Sequence, residues 1–178
     1  RHDLGGPVGL YWATANPGRI ERLAILNTLV YPQMSWAVKL FLIALRLPLL
    51  RDWMVSPAGL RAGMRYGICD RARWTEEMYR GVTDPFVSAQ ARKALLKAGG
   101  DLSPKGFFLM EQRLPRLTCP VQILYGEADR ILPDIAETVA RLKKDLPQAE
   151  VESIPECGHF LQEDRPVEVA TALARFFG

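Results

Sequence analysis

Strand-like and helix-like stretches alternate at both ends of this 178-residue chain, whereas its middle is helical throughout, and that arrangement leaves few folds open. Leu23 to Leu26 is an uninterrupted apolar run of the kind that forms a strand buried on both faces. Val121 to Tyr125 repeats the signal and stops at Gly126, and Val151 to Ile154 reads as a further short strand. Between Pro133 and Leu146 the apolar residues Ile135, Val139 and Leu142 recur at helical spacing with charges between them. From Val167 to Phe177 the equivalent stripe is Val169, Leu173 and Phe176, and a shorter helix is expected over Gly9 to Ala15, stopped by Asn16-Pro17. Strands and helices in this order imply a parallel sheet with helical crossovers, an α/β fold.

From about Leu29 to Arg116 the helical periodicity comes in short pieces, punctuated by Pro32, Pro48, Pro85, Gly99-Gly100 and Pro104. The chain is therefore expected to consist of core over residues 1–28, an all-helical insertion over residues 29–116, and core again over residues 117–178. The most apolar stretch, Trp36 to Leu50, is interrupted by Lys39, Arg46 and Pro48. It falls short of the roughly 18–20 clean residues of a membrane span, so a buried or lid helix is expected and no membrane partner.

Composition narrows the function classes. A hydrophobic content of 48% supports a buried core, and 23 Lys and Arg against 20 Asp and Glu leave a scattered +3, which weighs against nucleic-acid binding. Cys69, Cys119 and Cys157 are odd in number, far apart and without CxxC spacing, so neither a disulfide framework nor a zinc site is indicated and a cytoplasmic location is expected. Arg1-His2-Asp3 leads into glycines and does not read as a secretory leader. Oligomeric state is not legible.

Three short strings carry the chemistry. His2-Asp3-Leu4-Gly5-Gly6, followed by a helix, has the form of a sharp turn that holds a side chain out of the backbone, with a small residue needed two places on. The exposed group is Asp3, and the Leu4 backbone N–H at the helix start is placed to hold developing negative charge. The plainer reading of Asp3 is a cap on the helix beginning near Gly5. Gly126-Glu127-Ala128-Asp129 follows directly on a strand, where parallel sheets gather their active groups; Glu127 is a rival to Asp129, and Asp129 taken alone reads first as a turn or helix-capping residue. Gly158-His159-Phe160 lies between the last strand and the last helix, and His159 is one of only two histidines. A lone loop histidine is usually a solvated side chain, but nucleophile, acid and base each following a strand form an ordered set.

With Asn16-Pro17-Gly18-Arg19-Ile20 ahead of the first strand and Glu163-Asp164-Arg165-Pro166 behind the histidine, these strings resemble the α/β-hydrolase superfamily. The resemblance is to its aspartate-nucleophile branch of haloalkane dehalogenases and epoxide hydrolases, and it covers essentially the whole chain as the carboxyl-terminal portion of such an enzyme. It implies the last three parallel strands of that fold with residues 29–116 as a helical cap. It also implies Asp3 as nucleophile, Asp129 and His159 as acid and base, Leu4 as oxyanion donor, water and a small apolar substrate as partners, and no metal or cofactor. A carboxylate is ionised at neutral pH and can displace a leaving group from saturated carbon, after which imidazole activates the water that frees it.

Many dehalogenases of that branch carry Trp after the nucleophile, where this chain has Leu4, which has no side-chain donor. Epoxide hydrolases of the branch use cap tyrosines, and Tyr31, Tyr66 and Tyr79 lie in the insertion, Tyr79 being the first choice for a pocket donor. Trp36, Trp53 and Trp74 offer indole donors, and Phe160 is a further substrate-binding candidate beside Trp36 and Tyr79. Arg1 stands where the elbow pattern wants a small residue, so the chain is expected to start in mid-fold, to leave Leu23 to Asn27 as an exposed apolar edge, and to be poorly soluble or inactive alone. The expected activity is epoxide opening or halide displacement. A catalytically silent binding protein on the same fold and an esterase or β-lactone-opening variant remain alternatives.

Overall fold

Three short strands, β1 (Leu23–Leu26), β2 (Val121–Gly126) and β3 (Glu150–Ile154), pair in parallel in the order β1-β2-β3 in the computed structural model, which describes residues 2–178. The register sets Ile25 beside Ile123 and Ile123 beside Val151. Because successive side chains of a strand point to opposite faces, β1 and β2 feed two cores at once. Leu23, Ile25, Val121 and Ile123 face one side, and Ala24, Leu26 and Leu124 face the other.

Helices cover both faces. On the first side lie α1 (Gly5–Ala15) through Leu10, α7 (Pro104–Arg113) through Phe107 and Met110, and α8 (Ile135–Asp145) through Ile135, Val139 and Leu142. On the second lie the short α9 (Leu161–Asp164) and α10 (Pro166–Phe177), the latter burying Val169, Ala172 and Phe176. Beside β1, the outer strand of the described sheet, runs a groove lined by Trp12, Ile20, Leu23, Leu26, Leu173 and Phe177.

The stretch between β1 and β2 is helical, as its punctuation indicates. Its helices are α2 (Trp36–Ala44), α3 (Pro48–Met54), α4 (Pro57–Gly67), α5 (Glu76–Thr83), α6 (Ala89–Gly100) and α7. Ser35, Ser56, Thr75, Ser88 and Ser103 start five of them, each side-chain oxygen accepting a backbone N–H three residues on. Pro48, Pro57 and Pro104 occupy first-turn positions, where a missing N–H costs nothing. Met64, Ile68, Trp74 and Tyr79 form a small core of their own, joined by Phe160. The last helix of the stretch, α7, instead packs with α1 and the sheet.

Two local expectations need correction. The Trp36–Leu50 stretch is not buried: it breaks at Pro48 into α2 and α3, and Val38 is the one buried residue of α2. Helix α1 starts at Gly5, not Gly9, and the glycine its turn requires is Gly6. A Cβ on Gly6 would stand 1.7 Å from Thr28 Oγ1, whereas one on Gly5 meets nothing within 4 Å. Thr28 is held there by donating to the Asp3 carbonyl at 2.6 Å. The small residue expected in place of Arg1 lies outside the described residues.

Gly6→Ala is accordingly expected to lower stability by about 1–3 kcal/mol through overpacking against Thr28. Gly5→Ala, an exposed position in the first helical turn, is expected to be neutral or stabilising by up to about 1 kcal/mol. Chemical denaturation of the two variants checks the contrast.

Candidate active site

Backbone geometry presents Asp3. Its φ of +48° lies in the left-handed region, which Asp tolerates better than most side chains because it is short and polar. Three hydrogen bonds hold that conformation: the Asp3 N–H donates to the Asn27 carbonyl at 3.1 Å, and the Asp3 carbonyl accepts from Thr28 Oγ1 and the Gly6 N–H. Helix α1 has Leu4 as its N-cap and receives no side-chain cap bond, so the capping reading of Asp3 fails.

Asp129 does both things the sequence allowed it. Oδ1 accepts the N–H groups of Ile131 and Leu132, both at 2.8 Å, which is the turn role. Oδ2 accepts from Asn27 Nδ2 at 2.7 Å and lies 2.8 Å from His159 Nδ1. Glu127, the rival acid, is exposed. His159 is buried, not a solvated loop side chain, and its Nε2 stands 3.5 Å from Asp3 Oδ1. The structure thus brings Asp3, Asp129 and His159 into one line, with the Asp3 side chain 51% exposed at its open end.

The loop carrying His159 is fixed from three directions. The His159 N–H donates to the Gly67 carbonyl at the end of α4, and His2 Nε2 donates to the His159 carbonyl, both at 2.8 Å. Asp164, wholly buried, accepts from the Gly158 N–H at 2.8 Å and from the backbone N–H groups of Cys69 and Asp70. Gly158 itself leaves no room for a side chain, since a Cβ there would approach the Gly67 carbonyl to 2.2 Å.

Protonation follows from these contacts. Burial alone would raise the Asp3 carboxyl, but hydrogen bonding and charge from His159, with smaller help from His2 and the Leu4 N–H, hold it below its ordinary value. Burial pulls the His159 imidazole down; hydrogen bonds and charge from Asp129 and Asp3 outweigh it and push the group up to about 9. His2 is lowered by burial and by the neighbouring His159, so it is neutral near pH 7.

Aromatic rings line one side of the site. Phe160 meets His159 edge-on at 5.0 Å between ring centres, Trp74 lies 6.3 Å from Phe160, and Tyr79 packs on Trp74 at 5.1 Å. Of the substrate-binding candidates, Phe160 therefore borders the triad and Tyr79 stands behind Trp74. Trp36 is 69% exposed on α2, and no ring contact among the described residues joins it to this stack. The Trp74 indole N–H is buried without a hydrogen-bond partner among the described residues. Asn27, which touches both Asp3 and Asp129, and Asp164 were not singled out by sequence reasoning, although Asn27 ends a strand as Asp129 nearly does.

The sequence profile of the alpha/beta hydrolase family matches residues 2–172. The chain is 27% identical over 98% of its length to the uncharacterized hydrolase YugF of Bacillus subtilis, covering 63% of that protein. Identity is 25% to a cis-3-alkyl-4-alkyloxetan-2-one decarboxylase of Xanthomonas campestris, over 98% of the chain and 61% of the relative. It is 25% to haloalkane dehalogenase 2 of Mycobacterium tuberculosis, over 99% and 62%. The chain thus spans about three fifths of the length of these curated relatives. Among solved structures, haloalkane dehalogenase DbeA of Bradyrhizobium elkani superposes with a TM-score of 0.79 at 21% identity, covering 98% of this chain and 64% of that one, which shows a shared α/β-hydrolase fold. No helix among the described residues is long and apolar enough to cross a membrane.

The raised His159 makes a thermodynamic prediction. A group whose pKa is higher folded than unfolded binds its proton more tightly in the native state, so its contribution is complete below about 6.5 and is lost as pH rises through about 9. Melting temperature is expected to fall across that window, and His159→Gln is expected to flatten the fall, as calorimetry at stepped pH will read.

Proposed function

The chain belongs to the alpha/beta hydrolase family, and we propose that it hydrolyses a small apolar substrate bearing a displaceable group at saturated carbon, an epoxide or an organohalide. The observation that carries this reading is the Asp3 carboxylate itself. It is ionised, half exposed, held out on a left-handed turn and 3.5 Å from an imidazole that Asp129 orients.

In the first step an Asp3 oxygen bonds to the substrate carbon as the bond to the leaving group breaks, giving an alkyl ester on Asp3. In ring opening the His159 proton passes to the nascent alkoxide; with a halide the leaving group departs as the anion and the proton goes to solvent. Esterification also removes the Asp3 charge, one of the two carboxylates that hold that proton. Neutral Nε2 then takes a proton from water as the water oxygen attacks the ester carbonyl, and the Leu4 N–H holds the resulting oxyanion. Collapse of that adduct releases the alcohol and regenerates the carboxylate. Asp129, bonded to Nδ1, fixes the tautomer and stabilises the imidazolium.

Phe160 and Trp74 give the site an apolar wall, and the Trp74 indole N–H, unpartnered among the described residues, is the donor suited to a halide or a ring oxygen, in place of the side-chain donor that Leu4 lacks. Tyr79 then supports Trp74 from behind. Similarity to an oxetanone decarboxylase supports a second reading, in which the carbon attacked belongs to a β-lactone.

His159→Gln is expected to slow turnover by about 10²–10⁴-fold and to leave the substrate moiety covalently bound to the peptide containing Asp3, read by mass spectrometry. Asp3→Asn is expected to show no adduct. Absence of any adduct over a panel of epoxides, haloalkanes and β-lactones would instead favour a binding protein.

A further inference from the structure

Helix α2 lies on the molecule with its apolar side outward. Val38 is its single buried residue, and Trp36, Leu40 and Ile43, spaced four and three apart, occupy the opposite stripe. Trp36 is 69% exposed, Ile43 57%, and Leu49 on the following α3 is 90% exposed, with Trp53 one turn further on. Large apolar side chains grouped in this way on a surface mark an interaction site.

Charge identifies the partner. Residues 36–66 carry Lys39, Arg46, Arg51, Arg61 and Arg65 against Asp52 alone, a net +4 in a chain whose total is only +3. Arg51 pairs with Asp52 and Arg61 with Glu76. The side chains of Lys39 and Arg46, set beside the apolar stripe, have no ion pair or hydrogen bond among the described residues. A protein surface closing over the stripe would have to take these two cations out of water, which is costly unless it brings matching anions. A layer of anionic headgroups above acyl chains meets both requirements: the apolar side chains enter, the long cationic ones reach back to phosphate, and tryptophans at either end of the apolar stretch suit the boundary between them.

We propose that the α2–α3 surface docks this protein on an anionic lipid surface, with Trp36, Leu40, Ile43 and Leu49 entering the headgroup boundary and Lys39 and Arg46 pairing with lipid phosphate. The stretch is too short to span a bilayer, but lying on one requires no span. The proposal rests on the exposure and charge of this face and is independent of the chemistry at Asp3.

Co-sedimentation with vesicles tests it. The protein is expected to bind phosphatidylcholine vesicles containing phosphatidylglycerol, to bind phosphatidylcholine alone far less, and to be released by salt. Lys39→Gln with Arg46→Gln is expected to lower the partition coefficient roughly 30-fold, since each cation near an anionic surface contributes about a fivefold gain. Leu40→Gln with Leu49→Gln is expected to lower it at least about tenfold. Both pairs are solvent-exposed, so their melting temperatures are expected to match the parent. No binding to the mixed vesicles, equal binding to phosphatidylcholine alone, or binding indifferent to both variant pairs would overturn the proposal. So would a dimer in analytical ultracentrifugation that Leu40→Gln with Leu49→Gln converts to monomer, because the face would then be covered by a second copy.

Discussion

The arrangement depends on one carboxylate. Asp129 accepts four hydrogen bonds, two from the turn that follows β2, one from Asn27 at the end of β1 and one from the His159 ring. The partners come from three segments, so the bonds that satisfy a buried charge also fix the ends of adjacent strands against the histidine loop. A buried carboxylate with an unfilled acceptor site would be expensive, and here none of its contacts can be lost without exposing that cost. Asn27 extends the constraint, since its amide oxygen accepts from the Gly126 N–H and its carbonyl receives the Asp3 N–H. The distance between Asp3 and His159 is therefore set by hydrogen bonds that begin at Asp129.

Strain at Asp3 makes sense within that lattice. A left-handed non-glycine residue costs on the order of 1–3 kcal/mol and persists only where its surroundings over-determine it. Bonds to Asn27, Thr28 and Gly6 do so, and Thr28 fits only because Gly6 has no side chain. The return is that the carboxyl stands 3.5 Å from Nε2 of His159 with the Leu4 N–H at its side.

The parts of this legible in the sequence are those that a local pattern specifies. Leu23 to Leu26 had to be buried on both faces, and β1 has those limits. The breaks in the insertion were written in its punctuation, Pro48 and Pro104 opening α3 and α7 and Gly99-Gly100 closing α6. The association of Asp129 with His159 was readable because each follows a strand of one parallel sheet, and that of Asp3 because a glycine turn and a helix come directly after it. What escaped depends on the path of the insertion. An apolar run indicates burial only on average, and nothing local distinguishes Trp36, turned outward, from Trp74, turned in against Phe160. Asn27 and Asp164 escaped because a polar residue at the end of an element has the same appearance whether it closes a turn or joins two distant segments.

Asp164 carries the consequence furthest. It accepts from Gly158, next to His159, and from Cys69 and Asp70, just beyond α4, so one carboxylate ties the histidine loop to the insertion. The Gly67 carbonyl, accepting the His159 N–H, makes a second tie over the same gap, and the van der Waals contact of Gly67 with Phe160 a third. The helical layer therefore cannot shift at this point without moving the imidazole, whereas α2 buries only Val38 and α3, packed against α4, buries none of its own residues. The ties that fix the imidazole loop to the insertion are thus made at the end of α4, through Gly67, Cys69 and Asp70, and none of them passes through α2 or α3.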